Sequence, residues 1–556
     1  MKKPLLSEMT LREKIGQTIN MRPSVMAEVE DINEYFRKNP YGSMWTCGHI
    51  KMDFVNLAEE LANADNIDYD MDIKIRLFSE QVSSVLKAPF LSAMDAERGC
   101  NRVFPFFSET TSNTGIAATN DPKAAYEIAK CIAHELKLAG TRWDWGPVVD
   151  NPSPFASSGI SRAFSSDPDL IEKMAVEYIK GVQSENVAAT LKHFPGSDKH
   201  EYRDSHFSDC TLRQSMEEWW ERQGKIFQAC IDAGVYSIML SHKSFPAADD
   251  TKIGGRYIPT TMSKKIVTDL LKEKMGFKGV VITDAVEMKS ITSMFTNVED
   301  FYAAMYNAGC DVILGPSQKD VFDIIEKAVL DGKIPESRID DACQRVLDMK
   351  EKLGLFDSPL VYPVSQEDRE QAVKNTSETM KKYASKSIAW MCRRNDLIPV
   401  KKEEIKKVQI VYIGYSNDIL NNIENFVKPE FEKRGAVVSI CDGIKNEQHM
   451  KTIADENDLI LYFAHLAPHC PYGVAGFFQE KATQFINVMK FGNEKSICAG
   501  TCSPFVYNDW FPSATNFVNL FWASKEILQT YVAGIYGEVD FEGVCPYDAD
   551  PLAPRK

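Results

Sequence analysis

A chain of 556 residues with 44% apolar, 26% charged and 10% aromatic side chains has the make-up of a folded protein of more than one domain, which excludes a disordered tract, a collagen-like repeat and a coiled coil. Its 64 Lys and Arg against 79 Asp and Glu leave a net charge of −15, a field that repels phosphate backbones and anionic lipid surfaces, so neither nucleic acid nor a membrane is an expected partner. Thirteen cysteines, scattered from Cys47 to Cys545 with no C-x-x-C pair, suit reduced thiols. The N-terminal sequence meets Glu8, Arg12, Glu13 and Lys14 before any apolar signal core, and no apolar run approaches about eighteen residues, so the expected location is cytoplasmic.

Between residues 40 and 320, short apolar runs alternate with longer stretches of helical periodicity, the pattern of β-α units around a parallel sheet. The runs are Gly42 to Cys47, Pro89 to Asp95, Thr141 to Asp150, Val187 to His193, Val235 to His242, Val280 to Asp284 and Cys310 to Gly315. Most end in polar groups: Asp95, Asp150, Lys192 with His193, His242 and Asp284. In a barrel of parallel strands such ends converge on one face, where barrel enzymes place their chemistry. An open doubly wound sheet divides them about a switch point and rarely needs so many consecutive units. The expected fold is therefore α/β, a TIM-type (β/α)8-like barrel with seven runs in view rather than eight.

Arg338 to Lys352 reads as a helix that stops at Gly354, and the proline-bearing stretch Leu355 to Pro363 cannot continue it. Buried strands follow at Lys407 to Gly414, Asp458 to Ala464 and Ser496 to Gly500, with helical stretches between them. The expected division is a barrel over 1–357, a linker over 358–385 and an α/β/α sandwich domain over 386–556.

Functional residue types are densest from Lys192 to His206, where fifteen residues hold three of the nine histidines. A Lys-His pair ending an apolar run and followed by Pro195-Gly196 turns the chain sharply into a loop over the barrel mouth. Asp204 and His206, two apart, suit a carboxylate that fixes one ring nitrogen while the other passes a proton near neutral pH; a merely solvated polar loop is the alternative. Asp284, after four apolar or β-branched residues, is placed either as a nucleophile on rigid backbone or as a helix cap. Asp95 is a candidate acceptor for sugar hydroxyls, or one half of a salt bridge with Arg98 or Arg102. No metal-binding, phosphate-loop or dinucleotide motif is present, so no metal or other cofactor is expected. Trp143, Trp145, Trp219 and Trp220 suit either sugar stacking or core packing.

In chain order these segments resemble glycoside hydrolase family 3, and its β-N-acetylglucosaminidase branch in particular. Asp95-Ala-Glu97-Arg-Gly99 with Arg102-Val103 is similar to the family's D-x-E-x-G-x-x-R-V. Trp145 to Pro152 is similar to A-P-V-x-D-x-x-x-N-P, and Ser161-Arg162-Ala-Phe164-Ser-Ser-Asp167-Pro168 to R-S-F-x-x-D-P. Lys192 to Gly196 is K-H-F-P-G unchanged, Asp204-Ser205-His206 matches the branch's D-S-H, and Asp284 to Met288 looks like S/T-D-x-x-x-M. The likeness spans roughly residues 10 to 360. The branch usually continues K-H-F-P-G with His-Gly and six residues to the Asp of D-S-H; here Ser197-Asp198 follow and the spacing is seven, which also brings in His200 as a rival to His206.

The resemblance implies a retaining exo-β-glycosidase (beta-N-acetylhexosaminidase-like) acting on a small or oligosaccharide β-glycoside. Asp284 would be the nucleophile, Asp204 and His206 the acid/base dyad, and Asp95, Arg162, Lys192, His193 and Arg102 the groups that hold the sugar. A β-glucosidase or β-xylosidase, a glycosyl phosphorylase, and a non-catalytic sugar-binding protein of the same fold are the alternatives. The β-glucosidase branch draws its acid/base Glu from the second domain, and no such Glu can be picked from this sequence.

Overall fold

The computed structural model describes residues 1–26, 29–46, 71–151, 162–358, 364–466, 476–477 and 479–548. Cys47, Pro152, Ser161, Pro359 and Pro363, each part of a predicted feature, lie outside them. Eight short strands close into one ring: β1 (Ile19–Met21), β2 (Ser43–Trp45), β3 (Leu91–Met94), β4 (Thr141–Asp144), β5 (Ala188–Phe194), β6 (Ser237–Leu240), β7 (Val280–Ala285) and β8 (Val312–Leu314). The order around the ring is β1-β8-β7-β6-β5-β4-β3-β2, with all neighbours parallel. The seven predicted runs are β2 to β8. The eighth strand, β1, is three residues long and carries Asn20 at its centre, too short and too polar to stand out as an apolar run.

Leu91, Ala93, Trp143, Trp145, Ala188, Met239, Val280 and Ile282 pack into one buried cluster with Val346 and Met349 of the helix Glu336–Lys352 and with Leu353 just past its end. A barrel interior is thus a core and not a pore, and a ligand can enter only above the strand ends. That helix ends as its sequence predicts, with Gly354 in the left-handed region at φ +72°.

Two registers shift at the mouth of the barrel. The β5–β6 pairing slips between Lys192 and Phe194, and the β7–β8 pairing slips between Val312 and Leu314, opposite Ile282 to Ala285. Irregularities of this kind re-aim side chains beside a site. They fall on the two strand ends that carry Lys192-His193 and Asp284.

The chain divides into two compact units. One comprises Met1–Ser108, Tyr126–Asn151 and Ala175–Thr376; the other comprises Glu109–Ala125, Pro152–Met174 and Ser377–Lys556. The second thus takes up two segments from within 1–357, and residues 366–384 of the expected linker form a 19-residue helix. The second unit is built on β9 (Ala389–Arg393), β10 (Lys407–Gly414), β11 (Val437–Asp442), β12 (Leu459–His465), β13 (Ser496–Gly500) and β14 (Asn516–Asn519), in the order β9-β14-β13-β12-β10-β11. Only β9 runs antiparallel, along β14. Every residue of β12 and β13 is buried, so helices cover the sheet on both faces, as an α/β/α sandwich requires.

Candidate active site

Asp284 stands one residue from the end of β7, half-buried, and its Oδ1 accepts from the Ala285 N–H at 2.8 Å. Burial alone would raise its pKa, but the imidazoles of His193, His242 and His206 and that N–H outweigh it and hold the carboxyl below its ordinary value. It is therefore an anion at neutral pH, as a nucleophile must be. His242 lies behind it: Nε2 is 3.0 Å from the Ala285 carbonyl and Nδ1 3.0 Å from Thr261 Oγ1. A carbonyl only accepts, so the proton sits on Nε2 and the Thr261 hydroxyl donates to Nδ1. Burial lowers the pKa of this ring, against the opposing pull of Asp284 and the Ala285 carbonyl.

Beside β7, the tip of β5 delivers Lys192 and His193. The Lys192 ammonium, 1% exposed, bonds Asp95 Oδ1 at 2.5 Å and Glu97 Oε1 at 2.8 Å. His193 Nδ1 is 2.6 Å from Asp150 Oδ2, so Nδ1 carries a proton that the carboxylate accepts. The chain then turns tightly. Gly196 N donates to the His193 carbonyl at 2.6 Å with φ +107°, and a Cβ there would meet Gln223 Oε1 at 2.3 Å, so only glycine serves. Trp219 braces the turn, its Nε1 donating to the Pro195 carbonyl at 2.7 Å.

The loop that follows is ordered by its own carboxylates. Asp198 accepts from the main chain of His200 (2.8 Å) and Arg213 (2.6 Å), and Glu201 accepts from Thr211 N (3.0 Å) and Arg203 Nε (2.8 Å). Asp204, 3% exposed, accepts from His206 N at 2.9 Å and from His206 Nδ1 at 2.6 Å. The His206 carbonyl accepts from Lys289 N at 3.0 Å, which fastens this loop to the segment just past Asp284. The rival His200 has a side chain 69% exposed and leans on Asp198 at 3.3 Å.

Arg162 belongs to the second unit, where its carbonyl accepts from Asn113 Nδ2 at 2.7 Å, and Arg102 is exposed in the turn after Gly99. Trp143, Trp145 and Trp219 are fully buried and serve as core. Three residues of the cluster were not singled out for a role: Glu97 on Lys192, Asp150 on His193, and His242 behind Asp284. Each was visible as a polar group at or just after an apolar run.

Residues 10–349 match the family described as glycosyl hydrolase family 3 N terminal domain. The chain belongs to glycosyl hydrolase family 3. It is thereby a glycoside hydrolase, and the barrel is the family's. Among curated relatives, a β-N-acetylglucosaminidase/β-glucosidase of Cellulomonas fimi is 26% identical, matching 84% of this chain and 85% of its own length. A probable β-glucosidase C of Aspergillus flavus is 29% identical over 72% of this chain and 65% of its own length. Two solved structures share the fold over 98% of the chain. A β-glucoside phosphorylase, BglX, has a TM-score of 0.81 at 21% identity with 94% of its chain covered. A family 3 β-N-acetylglucosaminidase from Paenibacillus sp. FPU-7 has a TM-score of 0.80 at 21% identity with all of its chain covered.

Proposed function

We propose that this glycoside hydrolase is a retaining exo-β-glycosidase that releases terminal β-linked N-acetylglucosamine. One observation carries the reading: a strand-tip carboxylate, Asp284, lies in the field of three imidazoles, and one of these, His206, is oriented by a buried carboxylate of its own. Asp284 attacks the anomeric carbon while His206 Nε2 gives its proton to the departing oxygen, forming a glycosyl ester through an oxocarbenium-like transition state. Neutral His206 then takes a proton from water as that water displaces Asp284, and two inversions return the β configuration. Asp204 holds the Nδ1 proton and stabilises the imidazolium that starts the first step and re-forms in the second. Asp95, Lys192 and His193 hold the sugar hydroxyls, with Arg102 as a further partner. The D-S-H dyad and the double name of the Cellulomonas relative support N-acetylglucosamine as the sugar. The scattered cysteines, with no C-x-x-C pair, support a cytoplasmic location, and no described helix is long and apolar enough to cross a membrane.

Turnover of p-nitrophenyl β-N-acetylglucosaminide, β-glucoside and β-xyloside, each with and without phosphate, tests the proposal. We expect the N-acetylglucosaminide to be cleaved fastest, without sugar 1-phosphate, and Asp284→Asn to lose several orders of magnitude in kcat. Formation of a sugar 1-phosphate replaces hydrolysis with phosphorolysis. No turnover of any glycoside leaves a binding protein.

A further inference from the structure

Directly beneath the Lys192 cluster lies a carboxyl that the mechanism does not use. Asp144 ends β4 and is fully buried. Its Oδ1 accepts from Ala96 N at 3.3 Å, and Ala96 is the residue between Asp95 and Glu97. Its Oδ2 accepts from the Tyr178 hydroxyl at 3.4 Å, across from the helix Pro168–Ser184. Burial raises the Tyr178 pKa, so that hydroxyl keeps its proton and remains a donor.

We propose that Asp144 is a positioning residue for sugar binding: its carboxyl tethers the turn that carries Asp95 and Glu97 around Lys192, and its charge sets how tightly those three groups stay together. The inference rests on the reading that Asp95 and Lys192 hold the sugar. The groups facing Asp144 are Asp95 and Glu97 at the end of β3, Lys192 on β5, Tyr178 on its helix and the buried Cys100 thiol in the turn below.

While Asp144 is neutral, the ammonium bonds Asp95 and Glu97 without a third charge from Asp144. Once Asp144 ionises, three carboxylates compete for one ammonium in a dry site, and the new charge repels the two that must stay in place. Burial pushes the Asp144 pKa up to about 7, a rise that Lys192 and the Ala96 N–H oppose and that Asp95 and Glu97 assist. The change in charge therefore falls in the neutral range. Sugar binding is tight below it and weakens as pH rises through it.

The experiment measures kcat and KM for p-nitrophenyl β-N-acetylglucosaminide and β-glucoside across the neutral range in the wild type, Asp144→Asn and Tyr178→Phe, with Asp284→Asn as the control on the reading itself. We expect the wild-type KM to rise several-fold with pH, and Asp144→Asn, which cannot ionise, to hold the low KM throughout. Loss of the Tyr178 hydroxyl removes a donor that favours the carboxylate, so the rise moves to higher pH in Tyr178→Phe. A flat wild-type KM, or a rise that survives unchanged in both variants, overturns this inference alone, provided that the wild type turns over and Asp284→Asn does not. No wild-type turnover, or full turnover in Asp284→Asn, overturns the underlying reading and this inference with it.

Discussion

His206 is held less by its surroundings than by carboxylates of its own loop, and Asp198 is the instructive one. Where relatives of the branch continue with His-Gly, this chain has Ser197-Asp198, and Asp198 closes the base of the loop by accepting from Arg213 N and His200 N. Removing that acceptor leaves two main-chain donors to find others, a loss of about 1–3 kcal/mol of local order. We expect Asp198→Ala to lower kcat for glycosides with poor leaving groups by an order of magnitude or more. For 2,4-dinitrophenyl glycosides, whose aglycone departs without a proton, kcat should hardly move. His206→Ala should show the same contrast more steeply. A series of aryl glycosides of graded leaving-group acidity measures it, and a uniform drop across the series contradicts a role for this loop in proton delivery. Asp284, Asp95 and Lys192 stood out in the sequence because each closes an apolar run, and Asp204 with His206 because they form a D-x-H pair in the histidine-dense stretch beyond one; the roles proposed for them came from the family resemblance. Glu97, Asp150 and His242 escaped assignment because a buried carboxylate or imidazole that steadies another group reads the same as a capping residue until the partner is seen.

Among the elements, the helix Glu336–Lys352 shows how far a strand pattern can be read and where it stops. Its apolar face plugs the barrel, yet it also buries Lys350 completely, with Nζ donating to Gln17 Oε1 at 2.7 Å ahead of β1 and to the Gly42 carbonyl at 2.9 Å ahead of β2. Burial lowers the Lys350 pKa to about 7, against a small opposing pull from Cys343. In the unfolded chain the amine titrates at its ordinary value near 10.5, so between these two values the unfolded state holds the extra proton and stability rises with pH. Below the folded value both states are charged and the slope vanishes. Thermal unfolding should show the wild type gaining Tm relative to Lys350→Met from neutral pH upward, with no change in their difference at mildly acid pH; parallel curves throughout would contradict a neutral buried amine. From sequence this lysine is one more charge in a charged helix. The short strands were lost for a related reason. β1 is three residues with Asn20 inside, β11 alternates exposed and buried residues at the sheet edge, and β14 begins and ends in Asn, so none makes the continuous apolar run that marks β10, β12 and β13.

Over the whole molecule, charge decides which substrates and acceptors arrive easily. A net −15 surrounds a site whose own groups include Asp284, Asp95, Glu97 and Asp150. The imidazole dyad repels an incoming anion less than a carboxylate base would, which by itself favours phosphate as an acceptor, but the field of the protein acts at longer range and opposes it. Neutral water meets neither barrier, which supports the proposed hydrolysis over phosphorolysis. The two effects separate by their dependence on salt, because the Debye length shrinks from about 30 Å at 0.01 M to about 8 Å at physiological ionic strength. For a β-glycoside whose aglycone carries a carboxylate, kcat/KM should rise as salt is added, while that of its neutral methyl ester stays flat. With kcat constant for both, the difference is confined to encounter and binding. A kcat/KM for the anionic substrate that falls with salt would mean that Lys192 and the imidazoles around Asp284 govern the local potential, and phosphate would then have a clear path to the proposed glycosyl ester on Asp284.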